Sequence, residues 1–87
     1  MKFSIVIPVY NERATVAALL EQVVSAQVPG LEKEIIIVEG NSSDGTREII
    51  RTFEGRPGLR VIYENEPRGK GAAVKTGLAQ AQGDWVL

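Results

Sequence analysis

Apolar residues follow two alternating patterns along the chain. Residues 3–9 form a run rich in Ile and Val without clean polar alternation, which is typical of a strand buried on both faces of a parallel sheet. Apolar residues then recur at the spacing of one helical face, namely at Val16, Leu19, Leu20, Val23 and Val24. The helix breakers Pro29 and Gly30 predict that this first helix ends there.

The succession of strand and helix is repeated twice more. The further predicted elements are a strand at 35–38, a short helix marked by Ile49, Ile50 and Phe53, a strand at 59–63, a helix carrying Val74, Leu78 and Ala81 that ends at Gly83, and the opening of a fourth strand at 85–87. Because no cap, turn or polar tail follows Leu87, we expect a domain that is incomplete at its C-terminal end.

Three consecutive strand–helix units predict the α/β fold class. Short connections and strand twist make the crossovers right-handed, so the strands form a parallel sheet with helices packed on its faces. Ligands bind beyond the carboxyl ends of the strands in such sheets. The sequence places polar clusters at that edge in residues 10–12, 39–41 and 65–70.

Composition narrows the chemistry that the chain can carry. Its 87 residues make one small domain, and 10 basic against 11 acidic residues give a net charge of -1. That balance does not favour nucleic acid or an anionic membrane as a partner. The lack of Cys and His excludes disulfides, a thiolate nucleophile and a histidine base. The apolar start is too short to span a membrane, so we expect a cytoplasmic chain.

Two glutamates stand at adjacent strand ends. Glu12 and Glu39 are placed either as a general acid and base, or as hydrogen-bond acceptors for a nucleobase or ribose, or in ordinary solvated positions. Glu39 directly follows a buried run, so it needs hydrogen-bond donors. For Asp44, capping of the following helix through the amides near Thr46 or Arg47 is favoured over ligand contact.

The glycine-rich turn before the last helix carries two cations. Arg68 and Lys70 are placed either to hold a phosphate together with the free amides of the helix or to be ordinary surface cations. A dinucleotide-binding fingerprint is disfavoured because Val74 stands where a small residue is needed. A Walker phosphate loop is excluded because Gly71 replaces the magnesium-binding Ser or Thr.

Three blocks together resemble the family 2 glycosyltransferases. These blocks are IVIPVYNE at 5–12, IIIVEGNSSDGT at 35–46 and RGKGAAVKTGLAQAQGDWVL at 68–87. The last is similar to the dolichyl- or polyprenyl-phosphate sugar transferases, of the dolichyl-phosphate mannose synthase type. The resemblance implies a Rossmann-like GT-A sheet of three to four strands, here truncated. The chain departs from the family at Glu39 and Gly40, where two adjacent aspartates are usual.

The resemblance also implies a binding site. The residues that it assigns to the nucleotide-sugar are Pro8, Tyr10, Glu12, Glu39, Arg68 and Lys70. Glu39 takes the base-binding role of the first family aspartate, and Gly40 lacks the carboxylate of the second. The metal-binding Asp-x-Asp element is expected just after the strand that begins at Trp85. We therefore assign no catalytic or metal-binding residue to this chain, although the complete enzyme is expected to use Mg²⁺ or Mn²⁺.

By the same resemblance the complete enzyme transfers a sugar with inversion. Its expected donor is a GDP- or UDP-sugar such as GDP-mannose or UDP-glucose, and its acceptor is a polyprenyl or dolichyl phosphate or a glycan. A location peripheral to the membrane is compatible with the lipid acceptor. The alternative hypothesis is a non-catalytic nucleotide-binding or self-assembling α/β module. An exposed sheet edge, with Trp85 to Leu87, predicts self-association.

Overall fold

The chain folds as a four-stranded parallel sheet. The computed structural model describes residues 2–26, 30 and 32–83, together with the backbone of 85–86. The elements are β1 (Lys2–Val9), α1 (Val16–Ser25), β2 (Glu32–Glu39), α2 (Thr46–Arg51), β3 (Leu59–Tyr63), α3 (Lys70–Gln80) and β4 (Trp85–Val86). The strand order is β3-β2-β1-β4, and every neighbouring pair is parallel. The predicted α/β class and parallel sheet are confirmed.

The two faces of the sheet carry different helices. On one face, α1 and α2 pack on the odd-numbered strand residues, and the buried residues of this core are Val9, Val16, Leu20, Ile35, Ile37, Ile50 and Phe53. On the other face, Ala73 of α3 packs against Ile36 and Val38. Because successive side chains of a strand point to opposite faces, β2 is apolar in both directions. This explains the unbroken apolar run in its sequence.

Small residues make the closest contact of the last helix with the sheet. Ala73 and Gly77 are buried, whereas Leu78 is 46% exposed. A Cβ atom built at Gly77 would lie 2.2 Å from Cγ1 of Val6, so α3 approaches β1 too closely for larger side chains. Ala73 and Gly77 therefore form the contact, and the large residue Leu78 lies outside it.

Helix and strand ends differ modestly from the prediction. The first helix ends at Ser25, before Pro29, which lies outside the described residues. The second strand begins at Glu32 and is longer than its apolar run. Phe53 packs in the core but follows α2 rather than belonging to it. The predicted bounds of the third strand are confirmed.

A buried carboxylate joins the elements at the amino ends of the strands. Glu34 in β2 accepts a hydrogen bond of 3.1 Å from the hydroxyl of Ser4 and one of 3.2 Å from the amide of Gln82. It also forms ion pairs of 3.6 Å with Lys2 and 3.3 Å with Arg60. One side chain thus connects three strands with the segment after α3. None of the helices described is long and apolar enough to span a bilayer.

Candidate functional site

A pocket opens at the carboxyl ends of the strands. Its volume is about 350 Å³, and its walls come from the ends of β1, β2 and β3 and from the turn that begins α3. The residues lining it are Pro8, Val9, Tyr10, Glu12, Gly40, Glu64, Pro67, Arg68, Gly69, Lys70 and Ala73. The pocket therefore brings together five of the six residues that the sequence assigned to a nucleotide-sugar. Glu39 is the sixth, and it does not line this pocket.

One wall of the pocket is apolar. Tyr10 follows β1 directly and is 48% exposed, so part of its ring is open to a ligand. Gly40 lies beneath it, because a Cβ atom built there would be 3.3 Å from Cδ1 of Tyr10. The missing side chain at position 40 thus lets the ring settle against the end of β2. Aromatic faces of this kind stack well on planar bases.

Another part of the pocket lining is cationic. Lys70 is the first residue of α3, and Arg68 stands two residues before it. Arg68 forms a 3.7 Å ion pair with Glu66, and both side chains are well exposed. The first amides of a helix lack partners within it and favour anions. Two cations and a helix start therefore face the pocket, as a phosphate site requires.

Side-chain hydrogen bonds tie the loops after β1 and β2 together. The amide of Asn11 donates to Oγ of Ser42 at 2.9 Å, and the amide of Ser43 donates to Oδ1 of Asn11 at 2.9 Å. The amide of Glu12 donates to Oγ1 of Thr46 at 3.0 Å. Asn11 adopts the left-handed conformation at φ 50°, which Asn tolerates better than most residues. These bonds hold the pocket rim in place.

Asp44 binds the first amide of α2, as predicted, although Gly45 occupies the N-cap position. Its Oδ1 accepts a 3.0 Å hydrogen bond from the amide of Thr46 at the start of α2 and is also bonded to the Thr46 hydroxyl. Its Oδ2 accepts from the amide of Arg13 at 3.3 Å. The hydrogen bond from the Thr46 side chain is the main reason that the pKa of Asp44 is lowered. Asp44 thus connects α2 to the loop after β1.

Glu39 has the donors that its buried position demands. Its side chain is fully buried, and its carboxylate accepts hydrogen bonds from the amides of Asn41 and Ser42, each at 2.9 Å. A 2.6 Å ion pair with Nε of Arg47 completes the set. The structure therefore places Glu39 under the loop after β2 and on the side of α2. Its contact with a nucleotide stays a prediction.

Glu64 is a pocket residue that sequence reasoning missed. It follows β3 directly and lines the pocket, although it is only 8% exposed. The sequence signal for it was available, because Glu64 is an acidic residue at a strand end just as Glu39 is. Glu64 lies one residue before the polar cluster predicted at 65–70, so that cluster does not include it.

A metal centre is not assembled by the described residues. Within 2–26, 30 and 32–83, no three acidic side chains come together as a divalent cation would require. Glu12 and Glu64 share the pocket but have no third carboxylate with them. The described residues therefore offer no such ligand set to the Mg²⁺ or Mn²⁺ expected of the complete enzyme.

The pocket and its sheet can be compared with known proteins. The family model described as "Glycosyl transferase family 2" matches residues 4–87. The chain belongs to glycosyl transferase family 2. The resemblance carried by the three sequence blocks is thereby confirmed.

Two curated members of the family are each 38% identical to this chain. One is glycosyltransferase AglE of Haloferax volcanii, matched over 92% of this chain and 27% of the relative. The other is the undecaprenyl-phosphate 4-deoxy-4-formamido-L-arabinose transferase of Edwardsiella ictaluri, matched over 97% of this chain and 27% of the relative. The chain thus spans about a quarter of the length of these family members.

Solved structures confirm the GT-A, Rossmann-like fold. The Staphylococcus aureus TarS 1-349 complex with UDP-GlcNAc superposes with a TM-score of 0.87 at 31% identity, covering 100% of this chain and 25% of that one. The mannosyltransferase PcManGT of Pyrobaculum calidifontis, in complex with GDP-Man and Mn²⁺, gives 0.82 at 29% identity over 97% of this chain and 25% of its own. Both are sugar-nucleotide complexes, one with a uracil base and the other with guanine.

Proposed function

We propose that this chain forms the nucleotide-binding part of a glycosyltransferase that takes its sugar from a nucleotide diphosphate. The supporting observation is that one pocket is lined both by the aromatic ring of Tyr10 and by the cations Arg68 and Lys70. A nucleoside diphosphate has the same division, with a planar base at one end and two phosphates at the other. The family membership supports the same reading.

The phosphates belong at the start of α3. The helix amides and the side chains of Arg68 and Lys70 together offer donors to an anion that carries more than one negative charge. Each hydrogen bond to a charged group contributes about 1.5–3 kcal/mol. Lost motional freedom offsets much of this sum. We expect a dissociation constant nearer about 1 mM than 1 μM for the chain alone.

In the reaction an acceptor oxygen attacks the anomeric carbon while the bond from that carbon to the diphosphate breaks, which inverts the anomeric configuration. The undecaprenyl-phosphate transferase among the relatives supports a polyprenyl phosphate as acceptor. Its oxygen is already anionic near neutral pH and needs little help from a base. GDP-mannose or UDP-glucose as donor, Mg²⁺ or Mn²⁺ as cofactor and a cytoplasmic location at a membrane surface are parts of the same proposal.

A nucleotide titration tests the proposal. We expect GDP or UDP to bind saturably to the folded chain, with or without Mn²⁺, and to shift amide NMR signals of Gly69 and Ala73. Lys70→Gln should weaken binding about tenfold, because it removes a charge from the phosphate wall. Lys75→Gln is the matched control, since Lys75 is exposed on the same helix and does not line the pocket.

Other outcomes separate the alternatives. If the folded chain binds no nucleotide, the pocket does not serve a nucleotide-sugar and the proposal fails. Concentration-dependent association in light scattering would then favour a self-assembling module. If Lys70→Gln and Lys75→Gln weaken binding equally, the effect is one of general charge and not of the pocket.

A further inference from the structure

Glu64 has a backbone that hydrogen bonds fix in position and a carboxylate that takes no part in stabilising the fold. Its amide donates to the carbonyl of Glu39 at 2.8 Å, and its carbonyl accepts from Nη2 of Arg47 at 2.6 Å. The backbone is therefore fixed on both sides. The carboxylate itself has no hydrogen bond or ion pair with any residue that the structure describes. Acids this deeply buried normally have partners.

The alternation of β3 directs this side chain into the pocket. Tyr63 points to the side of α2, where its hydroxyl bonds to Glu54 and its ring lies 5.5 Å from the guanidinium of Arg51. The next residue along the strand points to the opposite side, which is the side of α3 and of the pocket. In the described part of the chain, every fully buried side-chain oxygen has a partner. The oxygens of Glu64 must therefore reach solvent, and the pocket is the space beside them.

The other acidic positions near the pocket are not equivalent to Glu64. Glu39 has three donors and lies on the other face of the sheet. Gly40, on the pocket side, has no side chain, and Glu12 is exposed at the rim, where the hydroxyl of Thr15 donates to it. Glu64 is thus the buried carboxylate that a ligand in this pocket meets.

A carboxylate in that position distinguishes one base from another. Ionised, it only accepts hydrogen bonds, and its two oxygens match two parallel N–H groups. The pairing edge of guanine offers N1–H and the 2-amino group side by side. The corresponding edge of uracil offers one N–H between two carbonyl oxygens, so it can donate to only one of the two carboxylate oxygens. Guanine therefore gives the carboxylate one more charge-assisted hydrogen bond than uracil does, which favours guanine.

We propose that Glu64 reads the base of the donor and selects guanine over uracil. This inference rests on the proposed function, because it assumes that the base stacks on Tyr10 with its phosphates at Lys70. The donor would then be a GDP-sugar, and the missing carboxylate at Gly40 would be replaced by one from the neighbouring strand.

Three nucleotides and two variants test the inference. Amide NMR titrations of the chain with GDP, inosine diphosphate and UDP should give affinities in that order, because inosine lacks the 2-amino group. We expect GDP to bind at least about tenfold more tightly than UDP. Glu64→Gln should remove most of this preference while leaving UDP binding within about twofold. Glu48→Gln, at an exposed acid of α2, should leave all three affinities unchanged.

The possible failures are distinguishable. Equal binding of GDP and UDP, or tighter binding of UDP, overturns the role of Glu64 and leaves the nucleotide site intact. No binding of any nucleotide to the folded chain overturns both. If Glu64→Gln does not fold, the order of the three nucleotides on the unaltered chain still decides, and Glu64→Asp, which shortens the same charge, provides the second variant.

Discussion

The carboxylate of Glu39 keeps its charge although its side chain is out of contact with water. Burial raises the pKa of Glu39, but hydrogen bonds from Ser42, Arg47 and Asn41 outweigh burial and leave that pKa below its ordinary value of 4.5. A carboxyl group whose pKa is lower in the folded than in the unfolded state stabilises the fold above the unfolded value. This contribution is lost as the pH falls through the folded value.

We predict that Glu39→Gln lowers the free energy of unfolding by about 1–3 kcal/mol near neutral pH, since the charge-assisted bond to Arg47 is lost. The variant should also lose less stability than the parent as the pH falls below 4.5. Urea unfolding followed by circular dichroism across that range measures both effects. Glu48→Gln, at an exposed acid of α2, is the control. Parallel curves of unfolding free energy against pH for the parent and Glu39→Gln would show that ionisation of Glu39 does not stabilise the fold.

The same residue shows where sequence reasoning about the site succeeded and where it stopped. Strand ends and polar clusters correctly brought Tyr10, Arg68 and Lys70 into one pocket. The alternation of β2 and β3 decides which acid faces that pocket, and it turns Glu39 to α2 and Glu64 to α3. Both strands lack clean polar alternation, so their sequences did not reveal which face was which.

At the scale of elements, α3 contrasts with α1. Large apolar residues predicted the buried side of α1 at Val16 and Leu20, which lie in the core, although Leu19 of the same predicted face is 42% exposed. In α3 the contact is made by Ala73 and Gly77. A helix that approaches a sheet closely needs small residues at the contact, and large apolar residues alone do not indicate that contact. The order and type of the elements were nevertheless predictable throughout.

We predict that Gly77→Ala destabilises the fold by about 1–3 kcal/mol, because its new methyl group would overlap Val6. Gly71→Ala is the matched control in the same helix, since a Cβ atom there meets nothing within 4 Å. The control should be neutral or more stable by up to about 1 kcal/mol, as Ala favours helix more than Gly does. Thermal unfolding of both variants makes the comparison. Equal effects of the two changes would refute the close packing of α3 on β1.

At the scale of the whole molecule, the amino ends and the carboxyl ends of the strands have different roles. At the amino ends of the strands Glu34 is satisfied by partners from β1, β3 and the segment after α3. At the carboxyl ends the side-chain carboxylate of Glu64 has no partner among the described residues, and it lines the open pocket. The carboxylate of Glu34 thus stabilises the structure, whereas the carboxylate of Glu64 remains available to a ligand. Stability and binding should therefore respond to mutation at different ends.

We predict that Glu34→Gln lowers the free energy of unfolding by about 1–3 kcal/mol, because Ser4 and the amide of Gln82 lose a charged acceptor. Nucleotide affinity, measured under conditions where the variant is folded, should stay within about twofold of the parent. Tyr10→Ala should do the reverse, since the ring is about half exposed and forms a pocket wall. The free energy of nucleotide binding by this variant should weaken by about 1–3 kcal/mol, the usual contribution of a base stacked on an aromatic ring. Weaker nucleotide binding by folded Glu34→Gln would mean that the amino ends of the strands influence the pocket at their carboxyl ends.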